Sequence, residues 1–194
     1  MNSEPARRPR IYLAGPDVFL PDAAQAFARL KAQCAACGLE GIAPTDTDHG
    51  ADSHPHEEAS RGADEALAQR IYEGNVRLIQ QADGVIANLE PFRGLEPDSG
   101  TVFEVGYAVA LGKPVVAYGV PESTYQERVS AAIACTRGSD GVVREQASGL
   151  MVEGLGQRLN LMITRSSLLE PTAQDALRRL ATVLGVSSRM LLKI

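Results

Sequence analysis

Apolar positions along this chain fall into short continuous runs and into stretches at helical spacing. Residues 10–14 (Arg-Ile-Tyr-Leu-Ala) form a short apolar run ending at Gly15-Pro16, which predicts a buried strand and a sharp turn. Residues 22–37 carry apolar side chains at helical spacing, and Gly38 follows as a stop. Residues 39–43 predict a second strand closed by Pro44, and residues 64–81 a helix with Leu67, Ile71, Leu78 and Ile79 on one face. Asn75 shares that face, four residues from Ile71 and from Ile79. A third strand is expected over 83–89, an apolar helix over 99–111 stopped by Gly112, and a fourth strand over 114–118. The pattern then weakens: a helix near 122–134, a Gly/Ser-rich loop over 138–149, and a segment 151–165 containing the run 159–163. Pro171 opens a last amphipathic helix with Ala173, Leu177, Leu180 and Leu184 on one face.

Strands alternating with helices predict an α/β, doubly wound (flavodoxin-like) parallel sheet with helices on both faces and a strand order beginning 2-1-3-4. A single domain is expected over 10–194, behind a short, polar, flexible tail over 1–9. Ligands of such sheets bind past the carboxyl ends of the strands. Here those ends are Ala14-Gly15-Pro16, Pro44-Thr45-Asp46 and the Pro/Gly-rich stretch 88–98. Residues 45–63 are polar and turn-rich and read as a long surface loop beside that crevice. Its His49, His54 and His56, with Asp46, Asp48 and Asp52, follow no metal-ligand spacing, so a solvated loop is the expectation and no metal is assigned.

Composition narrows the ligand. The chain has 194 residues, 44% apolar and 22% charged, with a net charge of −5 and no Lys/Arg run. A nucleic acid polymer would need a basic face, so a small polar ligand is expected instead. No apolar stretch is long enough for a membrane span, and no apolar segment follows Arg7 and Arg8 as in a signal peptide. Cys34, Cys37 and Cys135 make an odd set, which fits a reducing cytoplasm better than a disulfide framework. Cys34-x-x-Cys37 lies within a helical pattern with Ala24, Phe27 and Leu30, so helix packing is preferred to redox or metal chemistry.

One charge stands out. Between Asp98 and Lys113 the only ionisable carboxylate is Glu104, surrounded by Val102, Phe103, Val105, Tyr107, Ala108 and Val109. A helix apolar all round is expected to be buried, and a buried carboxylate is costly unless paired or hydrogen-bonded. Near a helix start facing a crevice it is a functional candidate. The competing role is capping, since Thr101-x-x-Glu104 is a capping-box pattern, and Asp98 can equally be a cap or turn residue. No Gly-x-Ser-x-Gly elbow, phosphate loop, zinc helix or dinucleotide fingerprint is present. Carboxylates without cofactor can do glycosyl chemistry through a covalent sugar intermediate.

The chain resembles the nucleoside 2-deoxyribosyltransferase family. The matching stretches are Ile11-Tyr-Leu-Ala-Gly-Pro16, Asn75 in its helix, Ala82-Asp-Gly-Val-Ile-Ala-Asn-Leu-Glu-Pro-Phe-Arg-Gly94, Glu96-Pro-Asp-Ser-Gly-Thr-Val-Phe-Glu-Val-Gly106, Ala110-Leu-Gly-Lys-Pro114 and Leu159-Asn-Leu-Met-Ile163. The resemblance implies that Glu104 is the nucleophile that attacks C1′ and that the Tyr12 hydroxyl orients it. It implies that Asp98 accepts a hydrogen bond from the sugar 5′-hydroxyl. Asn160 and Met162 match residues lent by a neighbouring subunit to close the sugar site, which implies a homo-oligomer. Asn75 matches a base-contacting Asp or Asn, and as an amide it cannot supply a proton to the leaving base. Phe19 and Asp48 fall near positions lining the base pocket, and Gly15 lies in the matched turn at the substrate.

The expected function is transfer of 2-deoxyribose between nucleobases in nucleotide salvage, with slow hydrolysis as a side reaction, no cofactor, and a 2′-deoxynucleoside and free base as partners. Without the resemblance, Asn75 keeps the alternative of a core amide bonded to backbone, and Tyr12 and Met162 that of core packing. Two alternatives remain: a nucleoside 5′-monophosphate N-glycosidase, against which Asp98 would repel the phosphate with Arg93 as the nearby cation, and a non-catalytic nucleoside sensor.

Overall fold

A computed structural model describes residues 7–46 and 64–186. Its centre is a parallel sheet built from β1 (Arg10–Ala14), β2 (Glu40–Ile42), β3 (Gly84–Asn88), β4 (Val115–Tyr118) and a short strand near the C-terminus (Leu168–Leu169). The strands lie in the order β2-β1-β3-β4 with Leu168–Leu169 beside β4, and every pairing is parallel. The expected 2-1-3-4 order is therefore observed. The fifth strand is a finding: two residues are too few to show a period in the sequence.

The helices are α1 (Ala23–Ala36), α2 (Glu65–Gln81), α3 (Ser99–Ala110), α4 (Tyr125–Ala132), α5 (Leu161–Thr164) and α6 (Ala173–Val183). Period-two alternation on the strands sorts them onto two faces. Tyr12, Val85 and Val115 stand at one level across the sheet and pack with Leu78 and Ile79 of α2 and Val105 and Ala108 of α3. Ile11, Leu13, Ile86 and Val116 point the other way, onto Phe27, Leu30 and Cys34 of α1 and Leu177 and Leu180 of α6. Burying each Leu or Phe there contributes roughly 1.5–3 kcal/mol. Gly38 and Gly112 end α1 and α3 at φ 75° and 70°, a left-handed turn open to glycine without strain.

The weakly patterned middle holds α4 and an antiparallel hairpin of β5 (Cys135–Arg137) and β6 (Val143–Glu145), the latter falling inside the expected 138–149 loop. With Leu168–Leu169 as β7, this completes the strands. Val129, Val143 and Val152 form a small core of their own there. Such a satellite shows no strong period because each element contributes a single buried valine.

Cys34 and Cys37 are free and buried. Burial pushes the Cys34 thiol up to about 12, which supports a packing role over a reactive one. Arg7 of the expected tail bonds Asp83, and Pro9 O accepts from Glu40 N, so residues 7–9 are tied to the sheet. Of the expected 45–63 loop, Thr45 and Asp46 are seen in a 3-10 turn (Pro44–Asp46), whereas Asp48 and the three histidines lie outside the described residues. No helix among the described residues is long and apolar enough to cross a membrane.

Candidate active site

Helix α3 begins where the loop after β3 turns back over the sheet. Asp98 is its N-cap: Oδ2 accepts from Thr101 N and Thr101 Oγ1, both at 2.9 Å. This places Glu104 in the second turn and removes the Thr101–Glu104 capping box as an explanation. The helix starts three residues earlier than that box requires, so the Glu104 carboxylate has no cap backbone to reach. It meets Tyr12 instead, whose Oη donates to Glu104 Oε1 at 2.6 Å across 92 residues of sequence.

Tyr12 faces α3 because it occupies an odd register on β1, level with Val85 on β3. The tyrosine is fully buried, and Glu104 keeps only a partly open edge. Burial is the dominant influence on both. It pushes Glu104 up to about 7; the Tyr12 bond opposes the shift and the charge of Asp98 adds to it. The Tyr12 phenol is held well above its usual value by burial, then by the adjacent Glu104 charge and bond. The pair is a desolvated carboxylate with a neutral donor fixing one oxygen, which is the state of a poised nucleophile.

The helix carrying Glu104 is not buried all round, as its composition suggested. Phe103 is 52% exposed and stacks on Tyr107 at 6.1 Å, because α3 lies on one face of the sheet and turns that side outward.

Asn75 lies on α2 one turn before Leu78 and Ile79, which pack in the same cluster as Tyr12. Its Oδ1 is buried with no hydrogen-bond partner among the described residues. An orphaned buried acceptor is costly, so the core reading, in which backbone satisfies the amide, is not what the structure shows.

At the carboxyl ends of β1 and β3, Phe19 stacks on Phe92 with centroids 5.4 Å apart. The Arg93 guanidinium lies 4.6 Å from the Phe92 ring and 5.5 Å from that of Phe19. Arg93 adopts φ 54°, a left-handed conformation uncommon for a side-chain-bearing residue. Asn88, buried at the end of β3, donates to Asp17 Oδ2 at 3.2 Å and to Glu90 Oε1 at 3.3 Å. Gly15 makes this junction possible, because a Cβ there would lie 2.9 Å from Asn88 Cβ and 2.5 Å from Asp17 Oδ2.

Asn160 caps α5 and, with Met162, is exposed; Met162 is 72% exposed. Packing of Met162 in the core, the alternative open from sequence, is thus overturned: Leu159 and Ile163 take the buried positions of that turn. Within one chain the structure brings Tyr12, Glu104 and Asp98 together, joins Phe19 to Phe92 and Arg93, and leaves Asn160 and Met162 on the surface. Phe92, Asp17, Asn88 and Glu90 were not singled out from sequence, and Arg93 only as a cation near a possible phosphate. Asn88 had a readable signal, a polar residue at the crevice end of an apolar strand; the Phe19–Phe92 contact had none.

The family model for nucleoside 2-deoxyribosyltransferase matches residues 11–162. The chain belongs to that family. A 2-desoxiribosyltransferase from Leishmania mexicana superposes with a TM-score of 0.67 at 29% identity, covering 90% of this chain and 97% of that one. An uncharacterized Schizosaccharomyces pombe protein is 34% identical over 82% of this chain and 77% of its own length. A 5-hydroxymethyl-dUMP N-hydrolase from Rattus norvegicus is 38% identical, over only 40% of this chain and 43% of its own. This deoxyribosyltransferase-family chain thus has relatives named for deoxyribosyl transfer and for N-hydrolysis, and the family acts on nucleosides and nucleobases.

Proposed function

We propose that the chain is a nucleoside 2-deoxyribosyltransferase working by double displacement. The observation that carries this reading is the buried Glu104 carboxylate, held at 2.6 Å by Tyr12 with no cation among the groups that shift its pKa. A Glu104 oxygen attacks C1′ of the deoxynucleoside, and the C1′–N bond breaks with its electron pair leaving on the base nitrogen. The departing base takes up a proton. A nitrogen of the incoming base then attacks C1′, the ester bond to Glu104 breaks, and the proton of the incoming base is released. Two inversions give net retention, and water in place of the second base gives hydrolysis.

Tyr12 orients the nucleophile, and Oδ1 of Asp98, which takes no part in the cap, accepts from the sugar 5′-hydroxyl. Asn75 hydrogen-bonds the base without transferring a proton. Phe19, with Phe92 beneath it, supplies an aromatic surface for the base, and Gly15 shapes the turn. Asn160 and Met162 serve the site of a neighbouring subunit in a homo-oligomer. Their exposure supports that role, and mixing Glu104→Ala with Asn160→Ala protein tests it. Random pairing should restore about a quarter of the sites, whereas no recovery would place Asn160 in its own chain's site or in none.

Hydrolysis of a 5′-monophosphate is favoured by one observation, the similarity to 5-hydroxymethyl-dUMP N-hydrolase. Asp98 opposes it, since a carboxylate at the sugar's 5′ end repels phosphate. Incubation with thymidine and adenine, followed by chromatography, separates the readings. Deoxyadenosine is the expected product. Thymine with free sugar alone, or strong preference for the 5′-monophosphate, would overturn transfer in favour of hydrolysis.

A further inference from the structure

Glu153 holds two groups at once. Its Oε1 accepts from Leu161 N at 2.9 Å and its Oε2 from Asn160 Nδ2 at 3.0 Å. The other end of the Asn160 amide is also committed, because Oδ1 accepts from Met162 N at 3.0 Å. An exposed asparagine is ordinarily free to change rotamer and to turn its amide over. Here the oxygen must face Met162 N–H and the nitrogen must face a carboxylate, so both orientation and atom order are fixed. A single N–H of Nδ2 remains, without a protein partner among the described residues, on an exposed side chain beside exposed Met162.

We propose that Glu153 is a positioning residue that aims this remaining N–H of Asn160 at a sugar hydroxyl of the deoxynucleoside. The proposal rests on the reading above that Asn160 serves the sugar. A charged acceptor on one N–H polarises the amide and makes the other a better donor. Glu153 is itself anchored: it is half-buried and follows Val152, which packs with Val129 of α4 and Val143 of β6. The hairpin lobe, which adds no strand to the central sheet, thereby gains a role as the fixed base from which Asn160 is aimed.

The test compares thymidine-to-adenine exchange by the full-length chain carrying Glu153→Gln, Asn160→Ala, both together, or the pair Glu153→Gln with Asn160→Asp, with thermal melting as the check on folding. Glu153→Gln, with its oxygen kept on Leu161 N, sets an N–H against Nδ2. Turning the Asn160 amide over would set Nδ2 against Met162 N, so the tie that aims the amide is lost. KM for thymidine should rise about tenfold, the factor one modest hydrogen bond carries, with kcat changing less. The variant with both Glu153→Gln and Asn160→Ala should lose no more than Asn160→Ala alone. In the Glu153→Gln/Asn160→Asp pair the new amide donates to the new carboxylate and the cap on Met162 N survives. The structural tie is remade, yet no N–H remains to offer, so KM should stay raised. Wild-type exchange by that pair, or a wild-type KM for Glu153→Gln while Asn160→Ala is impaired, overturns the positioning role alone. Wild-type exchange by Asn160→Ala instead removes the sugar role of Asn160 and the proposal with it.

Discussion

The two ends of the central sheet each hold a carboxylate, and the fold treats them in opposite ways. At the amino ends of the strands, burial alone would raise Asp83, but the bond from Arg10 N at 2.7 Å and that from Arg7 at 3.0 Å outweigh it, with Lys113 adding positive charge. Its carboxyl is held below the usual range. At the other end, burial of Glu104 is opposed only by the neutral Tyr12 hydroxyl and is reinforced by the negative charge of Asp98, so it rises to about 7. A cation beside Glu104 would stabilise the carboxylate and blunt it as a nucleophile. A neutral donor with a like charge nearby fixes its position and leaves its electron pair available. One end of the sheet is arranged for stability, the other for reactivity at the expense of stability.

The largest effect that can break this contrast is Glu104→Gln. Exchange should fall by about 10³-fold or more, because an amide oxygen cannot form the sugar ester. Stability should move the other way. Raising a carboxyl from 4.5 to about 7 costs its ionised form roughly 3 kcal/mol in the folded state. Below pH 4.5 the group is protonated folded and unfolded, and there is no penalty. As pH rises through 7 the folded chain loses that increment, and the Gln variant does not. Denaturant unfolding should therefore show the variant more stable at pH 8 and equal to the wild type near pH 4.5. A difference that does not change with pH would show that Glu104 is not destabilised by burial.

Much of this arrangement is legible in the sequence, for definable reasons. The strands β1 to β4 follow from short apolar runs and the helices α1, α2, α3 and α6 from apolar positions at helical spacing, because each buries at least one face. Glu104 is visible as a charge in an apolar segment, and Tyr12 only through the family resemblance, since a tyrosine in a buried strand is ordinary core. The start of α3 stays open in the sequence between two acceptable caps: Asp98 and Thr101 both suit an N-cap, and the choice depends on where the β3–α3 loop ends in space. The Phe19–Phe92–Arg93 stack, the Glu153–Asn160 contact and the strand Leu168–Leu169 have no local period. The stack forms where two separate loops meet, the Glu153–Asn160 contact by the folded path of one loop, and Leu168–Leu169 only by pairing with β4, all of which is tertiary information.

Tyr12→Phe gives the next largest effect and sharpens the comparison. The hydroxyl lowers Glu104 against burial, so removing it should raise that carboxyl further. The acid limb of kcat/KM, expected near pH 7, should move to higher pH. Exchange at pH 7 should drop about 10- to 100-fold, combining fewer ionised sites with a less fixed nucleophile. A pH–rate profile separates the two contributions, since only the first recovers at high pH. An unmoved acid limb would mean that Glu104 is not the group titrating there.

Asp83→Asn is the smallest effect and tests the opposite end. The amide oxygen can still accept from Arg10 N, but the charge facing Arg7 is lost. Arg7 is well exposed, with 62% of its side-chain surface open, so the pair contributes no more than about 1 kcal/mol at neutral pH. The sign is the reverse of that at Glu104. A depressed carboxyl adds stability above its unfolded value of 3.8 and loses it as pH falls through the lower folded value. The wild type should therefore be slightly more stable at pH 7 and lose the advantage toward pH 2, and 1 M salt should shrink the gap further. Exchange kinetics should be unchanged, because Asp83 lies at the end of the sheet away from the crevice. A KM or kcat change as large as that of Tyr12→Phe would show that the two ends are not independent, and that the cations around Asp83 contribute to the reactive end as well.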